Sequence, residues 1–335
     1  LAVASCSAAL FLALRALDLP RGARVLTPAF TFAAVPSAIL HADCTPVLVE
    51  VGDNYRVDMA DFEAKLDGAA AVLISHMRGH TSDMDRIMAL CDARGIPVIE
   101  DAAHSLGTKW HGRNIGTIGK VGCFSFQSYK LVNSGEGGIL ITDDPELAAK
   151  CVIMSGAYEH NWKKHPGLQN SYHVWQNKLP LYNTRMQNLS AAVIRPQLPL
   201  VADRVARGRA NHDYMAERLN TSAWLRVPDA LPPEERAPDS LQFNLLGDWT
   251  DDEARAFQAA AGTRGVGVQV FGLSKDNARA FWNWQFLGET PDLPKTRAML
   301  MRACDTRLPA RLTRDDLDYI AEAILAAVAE IKGTA

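Results

Sequence analysis

The first half of the chain alternates short apolar runs with amphipathic stretches, and this alternation limits the folds that are open to it. The apolar runs have the length of buried strands, and the stretches between them carry apolar residues at helical spacing. Strands that alternate with helices predict an α/β domain with a mostly parallel central sheet flanked by helices. The predicted strands are 25–28, 46–51, 70–75, 97–101, 121–126 and 138–142, and the predicted helices are 8–17, 32–41, 59–66, 83–94 and 145–154.

The second half follows a different pattern. Residues 156–182 form a polar and aromatic segment that interrupts the alternation, and we interpret it as a long loop or a lid. Beyond it we expect a long helix or a broken pair bent at two prolines, and then a smaller α+β domain. We therefore predict a large domain over 1–185 and a connecting helix with a small C-terminal domain over 186–335. The predicted elements are the helical region 186–220, the strands 241–246 and 266–270, and the helices 251–261, 294–304 and 314–331.

Composition excludes several classes of protein. With 48% hydrophobic residues, 22% charged residues and a net charge of −3, the 335 residues are typical of a soluble globular protein. No basic stripe indicates nucleic acid, and no apolar run is long enough for a membrane span. The six cysteines form no C-x-x-C pair, which argues against a zinc site or a disulfide framework and fits reduced thiols in the cytoplasm. Residues 1–5 resemble a buried segment, so we expect an N-terminal piece before Leu1.

Two polar side chains are placed where an α/β sheet binds ligands, at or beyond the carboxyl ends of predicted strands. Asp101 follows the run 96–100, and Lys130 is the last residue of the hydroxyl-rich run 125–130. A strand-end acid and a single lysine in a Ser-rich turn are what an enzyme needs to hold pyridoxal phosphate (PLP). The acid keeps the ring nitrogen protonated, and the lysine forms a Schiff base.

Each of these residues also has an ordinary structural interpretation. Asp is favoured at helix N-caps, so Asp101 alone would be interpreted as a cap, and most lysines are solvated. The combination favours the cofactor site, because Lys130 has small, hydroxylic and aromatic neighbours. Gly135, Gly137 and Gly138 follow it, and they either allow positive φ and close backbone approach or simply turn the chain before a strand.

Other candidate contacts are weaker when each is taken singly. Residues 5–9 offer hydroxyls and backbone N–H groups to a phosphate at the start of a helix, although an ordinary Ser N-cap is the alternative. Ser125 is a second hydroxyl donor or a polar position on a buried strand. Phe32 stacks on the pyridine ring or belongs to the core. His104 contacts the ring hydroxyl or is a structural histidine.

Two further hypotheses depend on single features. His76 and His80 have the spacing of metal ligands on a helix, but Gly79 and the preceding strand favour a loop, so we predict no metal site. Cationic and aromatic residues of the 156–182 segment would clamp a nucleotide or sugar, although a solvated or dimer-contact loop explains them equally well. These residues are Trp162, Lys163, Lys164 and Trp175.

Taken together, five segments resemble the DegT/StrS-type sugar aminotransferases, which are PLP-dependent enzymes of fold type I. The resemblance covers most of the chain and is strongest between residues 27 and 143. It departs from the usual family pattern at Cys6-Ser7, where Gly-Thr is usual, and at His104, where Gln is commoner. The matching segments are 27–32, 100–104, 124–126 with Lys130, 135–138 and 183–186.

The resemblance implies a role for each candidate. Lys130 would be the Schiff-base lysine and Asp101 the partner of the pyridine nitrogen. It also implies a homodimer whose active sites are shared, in which Asn183 reaches the phosphate of the neighbouring subunit's cofactor. From sequence alone, Asn183 is merely part of a polar turn. The other implied contacts are phosphate binding by Ser125 and by the Cys6 and Ser7 backbone, ring stacking by Phe32, and a ring-hydroxyl contact by His104.

The activity implied by the resemblance is transfer of an amino group from glutamate or glutamine. The acceptor would be a keto-sugar, a nucleotide-linked keto-sugar or a cyclitol, and no nucleic-acid or membrane partner is expected. Sugar dehydratases of this kind have His in place of the lysine, so Lys130 argues against that alternative. A non-catalytic regulator that retains the fold is the other alternative, and it would have no need of Asp101, Ser125 and Lys130 together.

Overall fold

The computed structural model describes residues 1–156, 161–165 and 167–333. Most strands of its N-terminal part belong to one central sheet, and a small neighbouring sheet contains the rest. In chain order the strands are β1 (Ala2–Val3), β2 (Arg24–Pro28), β3 (Thr45–Val49), β4 (Ala69–Ser75), β5 (Val98–Asp101), β6 (Lys109–Trp110), β7 (Arg113–Asn114), β8 (Val121–Ser125) and β9 (Gly138–Ile141).

The central sheet has the strand order β1-β9-β8-β5-β4-β2-β3. The pairs β2–β3, β2–β4, β4–β5 and β5–β8 are parallel, whereas β9 runs antiparallel to both β8 and β1. The predicted α/β class with a mostly parallel sheet is therefore confirmed. Because antiparallel neighbours need no crossover helix, the chain passes from β8 to β9 through a local connection. That connection contains Lys130.

Helices cover both faces of the central sheet. Neighbouring strand residues alternate between two cores: Leu73 and Ile99 pack with the first two helices, while Val72 and Val98 pack on the opposite face. Strands buried on both faces consist of nearly continuous apolar residues, which is why the pattern was visible in the sequence. The helices of this part are α1 (Cys6–Ala16), α2 (Ala34–His41), α3 (Met59–Lys65), α4 (Met84–Asp92), α5 (Pro145–Ser155) and α6 (Gln169–Trp175).

The C-terminal part builds a second core on a smaller antiparallel sheet. The predicted break at the prolines is present, because a 3-10 segment (Arg195–Leu200) separates two helices. The elements are α7 (Asn188–Ile194), α8 (Val201–Leu219), β10 (Leu225–Arg226), β11 (Glu234–Glu235), β12 (Ser240–Leu245), α9 (Asp251–Thr263), β13 (Gln269–Val270), α10 (Pro294–Leu300), β14 (Ala303–Arg307) and α11 (Arg314–Lys332). The sheet order is β10-β12-β14-β13, and the separate core supports our proposal of two domains, 1–185 and 186–335.

Two predicted elements of the C-terminal part were wrong in extent. The helix predicted over 294–304 ends at Leu300, and Cys304 belongs to β14 instead, opposite Phe243 of β12. A short buried run fits a helix or a strand equally well, and pairing with β12 decides. The strand predicted over 266–270 shrinks to Gln269–Val270.

The segment 156–182 is not a long irregular loop where the structure describes it. A 3-10 turn (Asn161–Lys164) and α6 pack against α5, and the Tyr172 ring is fully buried there. Residues 157–160 and 166 of the predicted loop lie outside the described residues. Across the described part of the chain, no helix combines the length and the apolar character needed to cross a membrane.

Candidate active site

Asp101 is the last residue of β5, and its carboxylate is held by neighbours from three segments. Its Oδ2 atom accepts a hydrogen bond of 2.7 Å from the Ser75 hydroxyl at the end of β4, and Ser75 in turn accepts one of 2.8 Å from Thr31. Its Oδ1 atom accepts from the backbone N–H of Ala103 at 3.1 Å. No α-helix begins after Asp101, so the N-cap interpretation is wrong.

The Cys6 thiol also contacts this carboxylate, with 3.7 Å between Sγ and Asp101 Oδ1. Burial raises the pKa of Cys6 well above its usual value, and the negative charge of Asp101 adds to this effect. Cys6 is therefore a neutral thiol that donates a weak hydrogen bond to the acid. The motif carrying it begins α1 directly opposite the end of β5.

Lys130 lies in the turn after β8, and its amine is largely removed from water. Its Nζ atom lies 2.8 Å from His104 Nε2. Burial lowers the pKa of Lys130 to about 8. Burial also lowers the pKa of His104 well below its usual value, and the charge of Lys130 adds to that shift. A neutral imidazole can accept the lysine proton at Nε2 only when its own proton is on Nδ1.

The N-terminus of α1 offers backbone donors close to these groups. Ser5 caps the helix through a hydrogen bond of 3.1 Å from the Ala8 N–H to its hydroxyl. The N–H groups of Cys6 and Ser7 belong to the first turn and have no acceptor within the helix. Gly138 allows β9 to approach this turn, because a Cβ there would lie 2.4 Å from the Ser5 carbonyl carbon. Such a helix start favours an anion.

All but one of the predicted cofactor residues line a single cavity of about 560 Å³. Phe32 belongs to its wall with 46% of its surface exposed, so it is not a core aromatic. Ser125 also lines it, and its hydroxyl accepts from the Gln127 N–H at 3.3 Å. The predicted residues in this wall are Cys6, Ser7, Phe32, Asp101, His104, Ser125 and Lys130.

Asn183 is the exception. It lines a separate depression of about 1390 Å³ and accepts a hydrogen bond of 3.3 Å from Arg185. Glu136 lines both this depression and the Lys130 cavity. Within one chain Asn183 therefore stays outside the wall formed by the other candidates.

Several cavity residues had no signal in the sequence. Arg279 and Arg307 come from the C-terminal part, so their position depends on how it packs against the central sheet. Arg78 has a φ of 56°, a left-handed conformation that is uncommon for a non-glycine residue. Ser75, which contacts Asp101 but is not part of the cavity wall, had a weak signal, because it ends the adjacent strand and so reaches the same edge of the sheet.

The residues of the two weaker hypotheses have other contacts. Trp162 packs against the Tyr172 ring with 5.1 Å between centroids, and the Lys150 ammonium lies 4.1 Å from the centre of the Trp175 ring. Neither tryptophan lines the Lys130 cavity. The histidine pair is also separated: His76 Nε2 lies 3.2 Å from Glu100, and His80 Nε2 lies 2.9 Å from Gln242.

Comparison with known proteins places this geometry in a family. The sequence model of the DegT/DnrJ/EryC1/StrS aminotransferase family matches residues 1–325. The chain belongs to this family. The chain is accordingly a PLP-dependent aminotransferase, as one of its relatives is named. The residues present fit the cofactor, because one cavity unites a strand-end carboxylate, a buried amine of lowered pKa and the open N–H groups of a helix start.

Individual relatives support the assignment over different lengths. The chain is 30% identical to the spore coat polysaccharide biosynthesis protein SpsC of Bacillus subtilis, over 96% of this chain and 84% of that protein. It is 36% identical to UDP-N-acetyl-3-dehydro-alpha-D-glucosamine 3-aminotransferase of Acidithiobacillus ferrooxidans, but that match spans 68% of this chain and 59% of the relative. The X-ray structure of an aminotransferase from Psychrobacter cryohalolentis is 25% identical, with a TM-score of 0.84 and coverage of 99% and 87%.

Proposed function

We propose that this aminotransferase moves the amino group of L-glutamate or L-glutamine to the keto group of a nucleotide-linked sugar. The observation that supports the donor half is the placement of Lys130 and Asp101 in the wall of one cavity. The acceptor is proposed from the relative whose name specifies a UDP-linked dehydro-sugar. An unlinked keto-sugar or a cyclitol is the alternative acceptor within the same reaction.

Lys130, His104 and Asp101 have different roles at the proposed site. When bound, PLP supplies an aldehyde for an amine and a ring that draws electrons from the substrate α-carbon. With a pKa of about 8, the Lys130 amine has an appreciable neutral fraction at neutral pH, so its Nζ atom can take up and return a proton. His104 Nε2 orients that amine. Asp101, fixed by Ser75, holds a proton on the ring nitrogen.

The remaining contacts position the cofactor. The backbone N–H groups of Cys6 and Ser7 and the Ser125 hydroxyl would hold the phosphate, since a helix start favours negative charge. Phe32 would cover one face of the ring from its half-exposed position in the wall. His104 has a second proposed contact, to the ring hydroxyl.

We further propose a cytoplasmic homodimer whose subunits complete each other's sites. Asn183 is exposed and outside its own chain's cavity, as a residue that serves a partner's cofactor would be. Large apolar side chains near it on α7 and the following 3-10 segment are exposed, which favours a covering partner. They include Leu189 at 74%, Val193 at 43%, Leu198 at 46% and Leu200 at 47%. The six cysteines are buried free thiols, which supports a reducing compartment.

The test is spectroscopic and uses purified protein loaded with PLP. L-Glutamate or L-glutamine should bleach the absorbance of the bound cofactor, and a keto acceptor should restore it. A screen of nucleotide-linked keto-sugars, free keto-sugars and cyclitols would then identify the acceptor class. Lys130→Ala should abolish both changes; if it transaminates normally, the proposal is wrong. A deoxy-sugar product in mass spectrometry would indicate a dehydratase, and PLP binding without reaction with any donor would indicate a non-catalytic regulator.

A further inference from the structure

Three arginine side chains line the Lys130 cavity, and their surroundings differ. Arg78 forms an ion pair with Asp305. Arg307 lies 3.7 Å from Asp239 and donates to a backbone carbonyl at 2.9 Å. Arg279 forms no ion pair within the described part of the chain, although the charge of Asp305 partly offsets the lowering of its pKa by burial, and its Nε atom is buried there without a hydrogen-bond acceptor.

Aromatic rings hold the Arg279 guanidinium in place. Its carbon atom Cζ lies 5.9 Å from the centre of the Phe32 ring and 5.8 Å from that of Phe271. Burial lowers the pKa of Arg279 to about 10, and the neighbouring charge of Arg78 contributes to the shift. The group therefore stays charged at neutral pH in a place that disfavours charge. An anion that enters the cavity would relieve this cost.

The other charges of the cavity wall already have counterparts in the proposed site. In that site Asp101 would pair with the ring nitrogen and Lys130 would bind the cofactor aldehyde. Arg78 and Arg307 have carboxylates beside them. Glu136 is exposed. Arg279 is thus the cavity arginine without an ion pair of its own among the described residues, and a substrate anion can supply its counter-ion.

The shape of the guanidinium and the position of Arg78 indicate which substrate group this is. A guanidinium presents two parallel donors that match a carboxylate. Arg78 is the arginine whose charge acts on the Lys130 amine. Burial lowers the pKa of Lys130 most, and Arg78 lowers it further, although the charges of Asp239, Asp101 and Cys6 act more strongly than Arg78 in the opposite direction. The α-carboxylate of a donor is attached to the reacting carbon and must stay near that amine, where Arg78 is the neighbouring cation even though it is already paired with Asp305. A carboxylate farther along the donor would reach Arg279.

We propose that Arg279 binds the side-chain carboxylate of the amino donor and so selects L-glutamate over L-glutamine. The inference rests on the proposed function, since it concerns the donor of that same reaction. Glutamine has the same length but a neutral amide, which leaves the guanidinium without a counter-ion. A site that provides a charged hydrogen-bond partner discriminates strongly against a ligand that lacks the matching group.

The test measures the first half-reaction of the PLP-loaded protein with each donor under single-turnover conditions. Arg279→Met should lower the rate constant divided by the dissociation constant for L-glutamate by about 10- to 100-fold and change that for L-glutamine by less than about threefold. Arg279→Lys keeps the positive charge but not the two parallel donors of the guanidinium, and it should retain part of the preference for L-glutamate over L-glutamine. Lys275→Met removes a cation from the same segment outside the cavity wall and should behave as the wild type.

A binding measurement without turnover supports the same comparison. Titration calorimetry with glutarate and with its monoamide should show that the wild type binds the dicarboxylate at least about tenfold more tightly, and that Arg279→Met does not. If the Met variant does not fold, the wild type and Arg279→Lys still give the ratio of L-glutamate to L-glutamine reactivity and the ratio of glutarate to monoamide affinity.

The possible failures are distinguishable. If both donors lose the same factor in the variant, Arg279 holds a group common to both, and the inference is wrong. If only the acceptor half-reaction weakens, the guanidinium serves an acceptor phosphate instead. If the wild type reacts with both donors without preference, the inference fails while the proposed function stands. If the wild type reacts with neither donor, both fail.

Discussion

The amine of Lys130 lies 2.8 Å from Nε2 of His104, and the imidazole that receives it is neutral. Burial and then the charge of Lys130 lower the pKa of His104, while burial lowers the pKa of Lys130 to about 8. Both groups are therefore weaker bases than usual, and the Lys130 ammonium gives up its proton more readily than an exposed lysine does. This arrangement directs the amine into the cavity and makes its protonation sensitive to pH near neutrality.

We expect Lys130→Met to raise the free energy of unfolding of the cofactor-free protein at pH 7 by roughly 1 to 3 kcal/mol. The lysine titrates near 10.5 when unfolded and near 8 when folded. Below pH 8 the amine is charged in both states, so the full cost of burying it is present. Between the two values only the unfolded lysine keeps its proton, so the wild type gains stability as pH rises and the advantage of the variant disappears.

Urea unfolding of both proteins at about pH 7 and pH 10 checks this prediction. Exposed Lys275 provides the control, since Lys275→Met removes a charge that was never buried. A gain for Lys130→Met that is equal at both pH values would show that the desolvated charge is not its cause.

The hydroxyl of Ser75 donates to Asp101 Oδ2 at 2.7 Å, and this contact predicts a graded pair of variants. Asp101→Asn removes the charge that holds the ring-nitrogen proton, so we expect the first half-reaction to slow by about 100-fold or more. Ser75→Ala leaves the acid but not its orientation, and a loss of about tenfold is expected. Stopped-flow absorbance of the bound cofactor measures both rates. Equal losses would mean that Ser75 does more than position the acid.

How much of this site the sequence predicts depends on where each residue lies in the fold. Asp101 ends β5 and Lys130 follows β8 in the same sheet, so the lengths of the apolar runs and the turn residues after them locate both residues. Asp101 caps no helix because residues 102–107 form turns, and its carboxylate binds Ser75 and the Ala103 N–H instead, which no local pattern reveals. Arg279 and Arg307 enter from the C-terminal part, and only the packing of that part on the sheet brings them to the cavity.

The same reasoning explains the errors in the fold. The buried run at Cys304 is too short to distinguish a helix from a strand, and the hydrogen bonds to β12 are non-local. The aromatic segment around Tyr172 suggested a loop because its polar residues outnumber its apolar ones. Tyr172 packs α6 on α5 together with partly buried neighbours such as Trp175 and Leu168, and these residues show no helical periodicity in the sequence.

Gly138 begins β9 and lies against the start of α1, where there is no room for a methyl group. A Cβ would lie 2.6 Å from the Cys6 nitrogen as well as 2.4 Å from the Ser5 carbonyl carbon. We expect Gly138→Ala to lower the free energy of unfolding by about 1 to 3 kcal/mol and to weaken PLP binding, since the candidate phosphate-binding turn must move. The neighbouring glycines differ, because Gly135 and Gly137 have φ of 83° and 154°.

Gly262 in α9 is the matched control, because a Cβ there would meet nothing within 4 Å. Gly262→Ala should stabilise the protein by up to about 0.5 kcal/mol, because Gly262 is helical but lies in the last turn of α9. Urea unfolding and titration of the apoprotein with PLP measure the two effects. Unchanged PLP affinity in a folded Gly138→Ala protein would contradict the proposed phosphate site at Cys6 and Ser7.

Asn183 lies outside the cavity of its own chain, and a mixed dimer tests whether it serves the other chain. We expect Lys130→Ala to be inactive and Asn183→Ala to bind PLP weakly when each is pure. Unfolding and refolding the two together would place a native Lys130 opposite a native Asn183 in about a quarter of the sites, because half the dimers are mixed and each has one complete site. Activity at limiting PLP should therefore reappear on mixing. If Asn183 acts within its own chain, no site in a mixed dimer has both a native Lys130 and a native Asn183, and mixing should recover no activity.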